Sequence, residues 1–436
     1  MSERVSILIR SSARPELADA LSSLAAQTYG NLDVVVVNVT GRPHPPLPAS
    51  ASGLAVNFVD PGRHLPRPLA ANAALDAAAG DYVAFLDDDD LFEPEHVANC
   101  LAAARAHPGT IPFVGAQIGD EKGELQAIWP ALGFGRLEIV ERIRMQTNAP
   151  FLPRAALADG SRFDPELPIF EDWDFWIRIS QRMPFRPLPH NTAVCRLGAG
   201  TSGTGVGANF DLHRTARDSR PFHAKWDDQR RAMAAEFDAA CAGADAAVQA
   251  RNWLQAETLS LQAHALRIWD GANLERLARI ADARGDRQRA SRFAAAAGRA
   301  RRLTAAQLTH AQLTALYDFL REGNASALDG DHATAEAAFL AALALHEGDQ
   351  TACNGLANLR IAQGRNAEAE EFLRQGTTHG DRVYPTLLLK RGTLLEQAGR
   401  RAEARGIYQL LVVLAPRHQG ARDRLRALDA IAAAAA

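Results

Sequence analysis

Four adjacent aspartates, residues 87–90, directly follow an apolar run at residues 82–86. Such a run is typical of a short buried strand, and ligands of open α/β sheets bind at the C-terminal ends of the strands. Carboxylates this close repel one another, and a divalent cation with oxygen ligands offsets the repulsion and the desolvation. The cluster therefore predicts a site for a divalent cation. A solvated acidic turn that caps the next helix remains the alternative.

A second acidic group, formed by Glu171, Asp172 and Asp174, opens the segment 170–179. Apolar side chains recur there at helical spacing, which predicts a helix anchored in the core. The carboxylates fall in its first turn, where the helix dipole favours their ionised forms. An ionised carboxylate can take a proton from a substrate hydroxyl, but acidic residues at this position can also serve only to stabilise the helix.

The elements that must position these two groups alternate between strand and helix. Strands are predicted at residues 5–9, 32–37, 54–58 and 82–86, with helices at 15–27 and 69–79 between them. This alternation is typical of an α/β fold with a mostly parallel sheet. The C-terminal ends of its strands would then bring the aspartates to a ligand-binding edge.

The composition changes from about residue 227, where strand patterns end and Ala, Leu, Arg and Glu dominate in helical patterns. Units of glycine followed five residues later by alanine place Ala290, Ala335, Ala369 and Ala404 at intervals of 45, 34 and 35 residues. This spacing resembles the tetratricopeptide repeat, whose period is about 34 residues. The resemblance implies an all-α superhelix that binds a protein partner, or one that only stabilises or dimerises the chain.

Length and composition limit the function further. A chain of 436 residues is longer than a single hydrophobic core normally serves, which predicts two or more domains. Its net charge of −3 argues against a nucleic-acid partner. The four cysteines form no CxxC pair, which argues against a zinc site or a disulfide framework. No apolar run reaches the ~20 residues of a membrane span, so we expect a cytoplasmic protein, and docking on the inner face of a bacterial membrane stays open.

Residues 1–225 resemble a family 2 glycosyltransferase of the GT-A fold. The segments 5–9 and 14–32 are similar to that family's opening strand and helix, and residues 80–90 match its Gly-Glu-Tyr-(Ile/Val)-Ala-Phe-Leu-Asp-x-Asp-Asp signature almost throughout. Residues 171–176 match the Glu-Asp element that supplies the family's catalytic base. The resemblance implies a Rossmann-like domain that transfers a sugar from a nucleotide-sugar donor.

Two positions depart from the family pattern. Asn38 begins the sequence Asn-Val-Thr-Gly where the family usually has Asp-Asp-Gly-Ser, which includes a base-recognising Asp. Ala71, just before Asn72, stands where the family usually has the Arg of Ala-Arg-Asn. Arg67 or Arg63 could supply the missing positive charge near the diphosphate.

The resemblance also implies roles for individual residues. Asp89 is expected to bind the metal, Mn²⁺ or Mg²⁺, and Asp87 to bind it through water or to contact the ribose. Asp172 is expected to be the general base of an inverting transfer, with Asp174 as the alternative. Further residues of the two motifs and of the donor side complete the expected site, namely Glu171 for catalysis and Asp88, Arg67, Asn38 and Asn72 for the donor.

We therefore expect a glycosyltransferase domain at residues 1–225, a linker helix at 226–245 and a repeat domain at 246–436. The expected function is transfer of a sugar to a hydroxyl of a glycan, lipid-linked or protein acceptor. The alternative is a protein-binding scaffold whose transferase domain is degenerate and inactive, since the two family positions are lost. A nucleotidyltransferase, a third possibility, would need a glycine-rich, lysine-containing N-terminal loop that this sequence lacks.

Overall fold

The computed structural model describes residues 2–120, 125–196, 217–303, 310–379, 382–415 and 418–434. The chain divides into two compact units, one of Met1–Leu125 with Trp129–Ile268 and one of Gln126–Ile128 with Trp269–Ala436. The first unit extends to Ile268 and includes residues 226–245, for which the sequence predicted a linker helix. None of the helices described is both long and apolar enough to cross a bilayer.

A five-stranded sheet forms the centre of the first unit, in the order β3-β2-β1-β4-β9. The first four strands are parallel and β9 runs antiparallel to β4. All seven residues of β1 are buried, as expected of a strand covered on both faces. The predicted α/β class with a mostly parallel sheet is confirmed. The strands are β1 (Val5–Ser11), β2 (Leu32–Asn38), β3 (Val56–Val59), β4 (Tyr82–Asp87) and β9 (Phe151–Pro153).

Shorter strands form two further groups. The strands β5, β11 and β7 lie side by side, and β10 pairs with β6. The acidic run leads directly into the first of these groups, because β5 begins immediately after Asp90. The strands are β5 (Leu91–Phe92), β6 (Ile111–Phe113), β7 (Ala116–Gly119), β8 (Leu125–Trp129), β10 (Phe185–Pro187) and β11 (Ala193–Arg196).

Seven α-helices are described in the first unit. In α5 the apolar side chains Trp173, Trp176 and Ile177 are buried, as their helical spacing predicted. Phe170, which precedes this helix, has a φ of 62°, an uncommon conformation for a non-glycine residue. The helices are α1 (Leu17–Ala25), α2 (Arg67–Ala77), α3 (His96–Ala106), α4 (Arg136–Glu141), α5 (Glu171–Ser180), α6 (Arg220–Gln249) and α7 (Trp253–Leu266).

The second unit consists largely of helices that pack in pairs. Gly330 and Gly399 have φ values of +79° and +75°, a conformation that glycine adopts without strain where one helix ends and the next begins. Five residues later, Ala335 and Ala404 are fully buried, which explains the repeated glycine–alanine spacing. The helices are α8 (Gly271–Ala283), α9 (Arg287–Leu303), α10 (His310–Leu328), α11 (His332–Leu345), α12 (Gln350–Ala362), α13 (Asn366–Thr378), α14 (Pro385–Gln397), α15 (Arg401–Leu414) and α16 (Gln419–Ala434).

Candidate active site

Arg10 joins the two acidic motifs. It lies opposite Asp87 in the parallel register of β1 and β4, near the C-terminal ends of both strands. Its Nε and Nη2 donate to Asp87 Oδ1 at 3.0 and 2.6 Å. Its Nη1 donates to Glu171 Oε1 at 3.2 Å. One guanidinium therefore bonds to the end of the metal-motif strand and to the first residue of α5.

Arg67 approaches Glu171 from another element. Arg67 is the first residue of α2, and its Nε donates to Glu171 Oε1 at 2.7 Å. Burial would raise the pKa of Glu171, but the charges of Arg67 and Arg10 outweigh it and lower that pKa. Burial would likewise raise the pKa of Asp87, and Arg10 and Arg67 lower it overall. Both carboxylates are therefore ionised at neutral pH.

The middle of the aspartate run faces Arg14 and the end of β1. Arg14 Nη1 donates to Asp89 Oδ2 at 2.5 Å, and its Nε lies 3.7 Å from Asp88 Oδ1. The backbone N–H of Ser12 donates to Asp88 Oδ2 at 2.6 Å. Burial raises the pKa of Asp88 to about 6, although Arg14 and the Ser12 N–H oppose the shift.

Asp90 stabilises the packing around the acidic run. It is buried, and it accepts hydrogen bonds from Asn148 Nδ2 at 3.0 Å and from the Arg196 backbone N–H at 3.1 Å. Burial raises its pKa well above the usual range, and the neighbouring Asp87 and Asp89 add to the effect. Its contacts tie the acidic run to β11.

A divalent cation fits this site only as an ion shared with a substrate. The described residues include no cluster of three or more His, Cys, Asp or Glu side chains placed to hold a metal. Oδ2 of Asp87 and Oδ1 of Asp89, however, accept no hydrogen bond from any other described residue. Mg²⁺-type sites commonly use one or two carboxylates together with substrate phosphates. The donor set suits that mode.

Asp172 lies in the first turn of α5, beside Glu171. Thr147 Oγ1 donates to its Oδ2 at 2.6 Å, and the Trp173 backbone N–H donates to Oδ1 at 2.8 Å. Burial raises the pKa of Asp172, and the charge of Glu171 raises it further. A carboxylate of raised pKa is a stronger proton acceptor once it is ionised.

Asp174 has a different environment two residues later. It is fully buried. Arg178 Nε lies 2.9 Å from Oδ2, while Trp226 Nε1 and Lys225 Nζ lie 2.9 and 2.8 Å from Oδ1. Lys225 and Trp226 belong to α6, so the contacts of Asp174 link α6 to α5.

The two asparagines expected to contact the donor use their side chains locally. Asn38 is buried, donates to the Arg42 carbonyl at 2.8 Å and accepts from the Thr40 N–H and hydroxyl. Asn72 exchanges two hydrogen bonds with the backbone of Phe163, at 2.9 and 2.7 Å. Asn38 therefore stabilises its own turn, and Asn72 links α2 to the segment that contains Phe163. Arg63 is exposed on the loop before α2.

Sequence reasoning missed Arg10 as a site residue. A signal was present, because an arginine in a mostly apolar strand that is predicted to be buried needs a carboxylate partner. The packing of Phe222 and Trp226 against α5 was also missed, because the transferase domain was predicted to end at residue 225 and a linker helix to begin at 226. The structure places Phe222 against Trp173 with ring centroids 4.4 Å apart.

Comparisons with known proteins identify families that match two parts of the chain. Residues 7–152 match the family described as Glycosyl transferase family 2, and residues 327–384 match a Tetratricopeptide repeat. An uncharacterized glycosyltransferase of Rickettsia felis is 27% identical over 183 residues, which are 38% of this chain and 30% of that protein. The amylovoran biosynthesis glycosyltransferase AmsB of Erwinia amylovora is 26% identical over 214 residues, 44% of this chain and 71% of that protein.

Among solved structures, S. aureus TarS 1–349 in complex with UDP-GlcNAc aligns with a TM-score of 0.40 and 15% identity, over 67% of this chain and 90% of that one. The chain spans about 30% of the length of the Rickettsia relative. The sequence match establishes that residues 7–152 belong to a family 2 glycosyltransferase domain and that a tetratricopeptide repeat lies in the second unit.

Proposed function

We propose that this chain is an inverting, metal-dependent glycosyltransferase that moves a sugar from a nucleotide-sugar donor to a hydroxyl acceptor. One observation carries the proposal: Arg10 bonds to both Asp87 and Glu171, so that the two acidic motifs, distant in sequence, line one site. A transferase of this kind needs a cation site for the leaving diphosphate and a carboxylate base for the acceptor. The two motifs supply both kinds of group.

On the donor side, Asp87 and Asp89 would hold the cation with the diphosphate oxygens. When bound, Mn²⁺ or Mg²⁺ supplies Lewis-acid stabilisation of the charge that develops on the leaving phosphate. Arg67, partly exposed at the start of α2, adds a fixed positive charge near Asp87. Asp87 Oδ1 is held by Arg10, which leaves Oδ2 directed to other partners.

On the acceptor side, Asp172 would take the proton of the attacking hydroxyl. As the acceptor oxygen bonds to the anomeric carbon, the bond from that carbon to the phosphate oxygen breaks, and the diphosphate leaves with the electron pair. Attack opposite the leaving group inverts the anomeric centre. Thr147 fixes one oxygen of Asp172. Asp174 is poorly suited to this role, because Arg178, Trp226 and Lys225 already use both of its oxygens.

Two classes of acceptor fit the proposal. The AmsB relative is named for amylovoran biosynthesis, and a glycan acceptor, free or lipid-linked, is consistent with a related role here. A protein acceptor is the other class. We assign the repeat unit the binding of a protein, either the acceptor or a partner enzyme, because stacked repeats present extended surfaces for such contacts.

A second candidate is a binding scaffold with an inactive transferase domain. Asn38 favours it, because its side chain is buried and used within its own turn, and so is not available to recognise a nucleobase. Ala71, fully buried in α2, also provides no charge. This scaffold would retain the fold without donor binding.

A binding screen separates the two candidates. Nucleoside diphosphates are tested by thermal shift and calorimetry, with Mn²⁺ and with EDTA, on the wild type and on Asp89→Ala. An active site predicts a nucleotide that binds only with Mn²⁺ and is lost in the variant, while the variant remains folded by circular dichroism. Equal affinity in EDTA would contradict the metal site, and no binding at all would favour the scaffold.

A further inference from the structure

We propose that Arg10 is a positioning residue that holds the donor-side and acceptor-side carboxylates in one fixed arrangement. The inference rests on the proposed function, since it assigns Asp87 to the donor and the Glu171–Asp172 pair to the acceptor. It concerns a residue to which no motif assigns a role.

The geometry requires an arginine. Nε and Nη2 of Arg10 converge on a single oxygen of Asp87, while Nη1 points to Glu171. A planar guanidinium offers donors in several fixed directions, whereas a lysine ammonium is a compact charge on a flexible stem. Arg10 can therefore fix the separation of two carboxylates, which a lysine in its place cannot do to the same extent.

Burial makes the contacts strong. The side chains of Arg10 and Glu171 are only 7% and 2% exposed. Truncating one partner of a buried ion pair leaves an uncompensated charge, so the effect on the remaining partner is large. Two cations, Arg10 and Arg67, lie near two anions, Asp87 and Glu171, and removal of Arg10 would take one hydrogen-bonded counter-ion from each carboxylate.

Arg10 bonds to only one oxygen of each carboxylate. Arg10 occupies only Oδ1 of Asp87 and leaves Oδ2 for the donor or its cation. Arg10 and Arg67 both donate to Glu171 Oε1, so Glu171 is bonded to β1 and to α2. Asp172 follows Glu171 directly in α5, and its position depends on how firmly Glu171 is fixed.

The test combines substitutions of Arg10 with substitutions of its two partners. Arg10→Met should weaken Mn²⁺-dependent nucleoside diphosphate binding and lower turnover, each on the order of tenfold or more. Asp87→Asn should then cost less affinity in the Arg10→Met background than in the wild type, and Glu171→Gln should cost less turnover. Such non-additivity on both readouts is the signature of a residue that acts through both partners.

Arg154→Met is the matched control. Arg154 also binds within the first unit, but its guanidinium donates to the backbone carbonyls of Gly80 and Ala78, and it bonds to no carboxylate among the described residues. Its loss should lower the melting temperature and combine additively with Asp87→Asn. If Arg10→Met does not fold, Arg10→Lys carries the test, because it keeps the charge and should retain coupling to one carboxylate only.

Additive behaviour of Arg10 with both partners would overturn the inference, as would unchanged nucleotide affinity in Arg10→Met. Failure of the wild type to bind any nucleoside diphosphate would instead overturn the proposed function and this inference with it. The two failures are thus separated by the wild-type calorimetry alone.

Discussion

Arg14 donates to Oδ2 of Asp89 at 2.5 Å, so an internal cation already bonds to the carboxylate that we propose as the metal ligand. Two unlike charges at this distance attract strongly when partly removed from water. A divalent ion must therefore share Asp89 with Arg14 or displace it, and the diphosphate, itself an anion, would favour the shared arrangement.

This relationship predicts that Arg14→Met increases the affinity of the nucleotide-free protein for Mn²⁺, by roughly tenfold if the interaction is worth about 1.4 kcal/mol. The physical reason is that Asp88 and Asp89 lose their neutralising neighbour. Calorimetry with Mn²⁺ alone measures the effect. Arg105→Met, which breaks an exposed pair with Glu3 in the same unit, is the control and should leave the affinity unchanged. Equal affinities in wild type and Arg14→Met would refute the prediction.

The repeat unit allows a packing test at Gly392. A methyl group at this residue would overlap the ring of the fully buried Tyr408. We expect Gly392→Ala to destabilise the second unit by about 1–3 kcal/mol through overpacking, measured by urea unfolding. Gly406, in α15, has open space around the added methyl, so Gly406→Ala should stabilise by up to about 1 kcal/mol. Equal effects of the two substitutions would mean that ring packing does not explain the glycine.

His96 predicts a pH dependence of stability. It is fully buried and stacks on Phe92 with ring centroids 3.7 Å apart, and burial lowers its pKa to about 3. Because the unfolded histidine titrates near pH 6.5, the unfolded state gains a proton below that pH while the folded state does not. Stability from this group is complete above about pH 6.5 and falls by up to about 1.4 kcal/mol per unit as the pH decreases toward 3.

Urea unfolding of wild type and His96→Gln at pH 7.5 and 5.5 isolates this contribution. Other groups, including Asp88, also titrate in this range, but they are common to both proteins and cancel in the comparison. The free energy of unfolding of the variant should fall less between the two pH values. A parallel decline in both proteins would show that His96 is protonated in the folded state.

Much of the first unit could be predicted from sequence because its signals are local. The apolar runs of β1 and β4 and the spacing of Trp173 and Trp176 in α5 determine element type without knowledge of distant partners. The aspartate run was recognised as a candidate site because four adjacent carboxylates need a positive charge nearby to offset their repulsion. The arginines that neutralise these aspartates could not be identified from the sequence. Their positions depend on which strand lies beside β4, and that is determined by the strand order of the sheet.

The same limit explains Asp174 and the start of α6. From sequence, Asp172 and Asp174 are equivalent acidic residues in one helical turn. Only the docking of α6, which brings Lys225 and Trp226 to Asp174, separates their environments. Contacts between segments far apart in the chain are set by tertiary packing, which overrides local pattern.

Asp174→Asn should accordingly reduce stability. The substitution removes the negative charge between Arg178 and Lys225 and leaves a buried amide beside Trp226. We expect a loss of about 2–3 kcal/mol, less than for a fully buried pair because both cations are partly exposed. Urea unfolding measures it, and Arg162→Met, at an exposed pair with Asp76, is the control that should change little. A stability equal to that of the wild type would argue that α6 is not fastened through Asp174.

Asp172→Asn should have the opposite profile. The amide keeps the size of the side chain and can still accept from Thr147 Oγ1, so folding and nucleoside diphosphate affinity should be retained. It cannot take a proton from the acceptor, so turnover should fall on the order of 10²-fold or more while donor binding stays constant. Burial and Glu171 raise the pKa of Asp172. The wild-type rate should therefore fall as the pH is lowered through that raised pKa, and the residual rate of the variant should lack this decline. Normal turnover in Asp172→Asn, together with an inactive but folded Asp174→Asn, would transfer the role of base to Asp174.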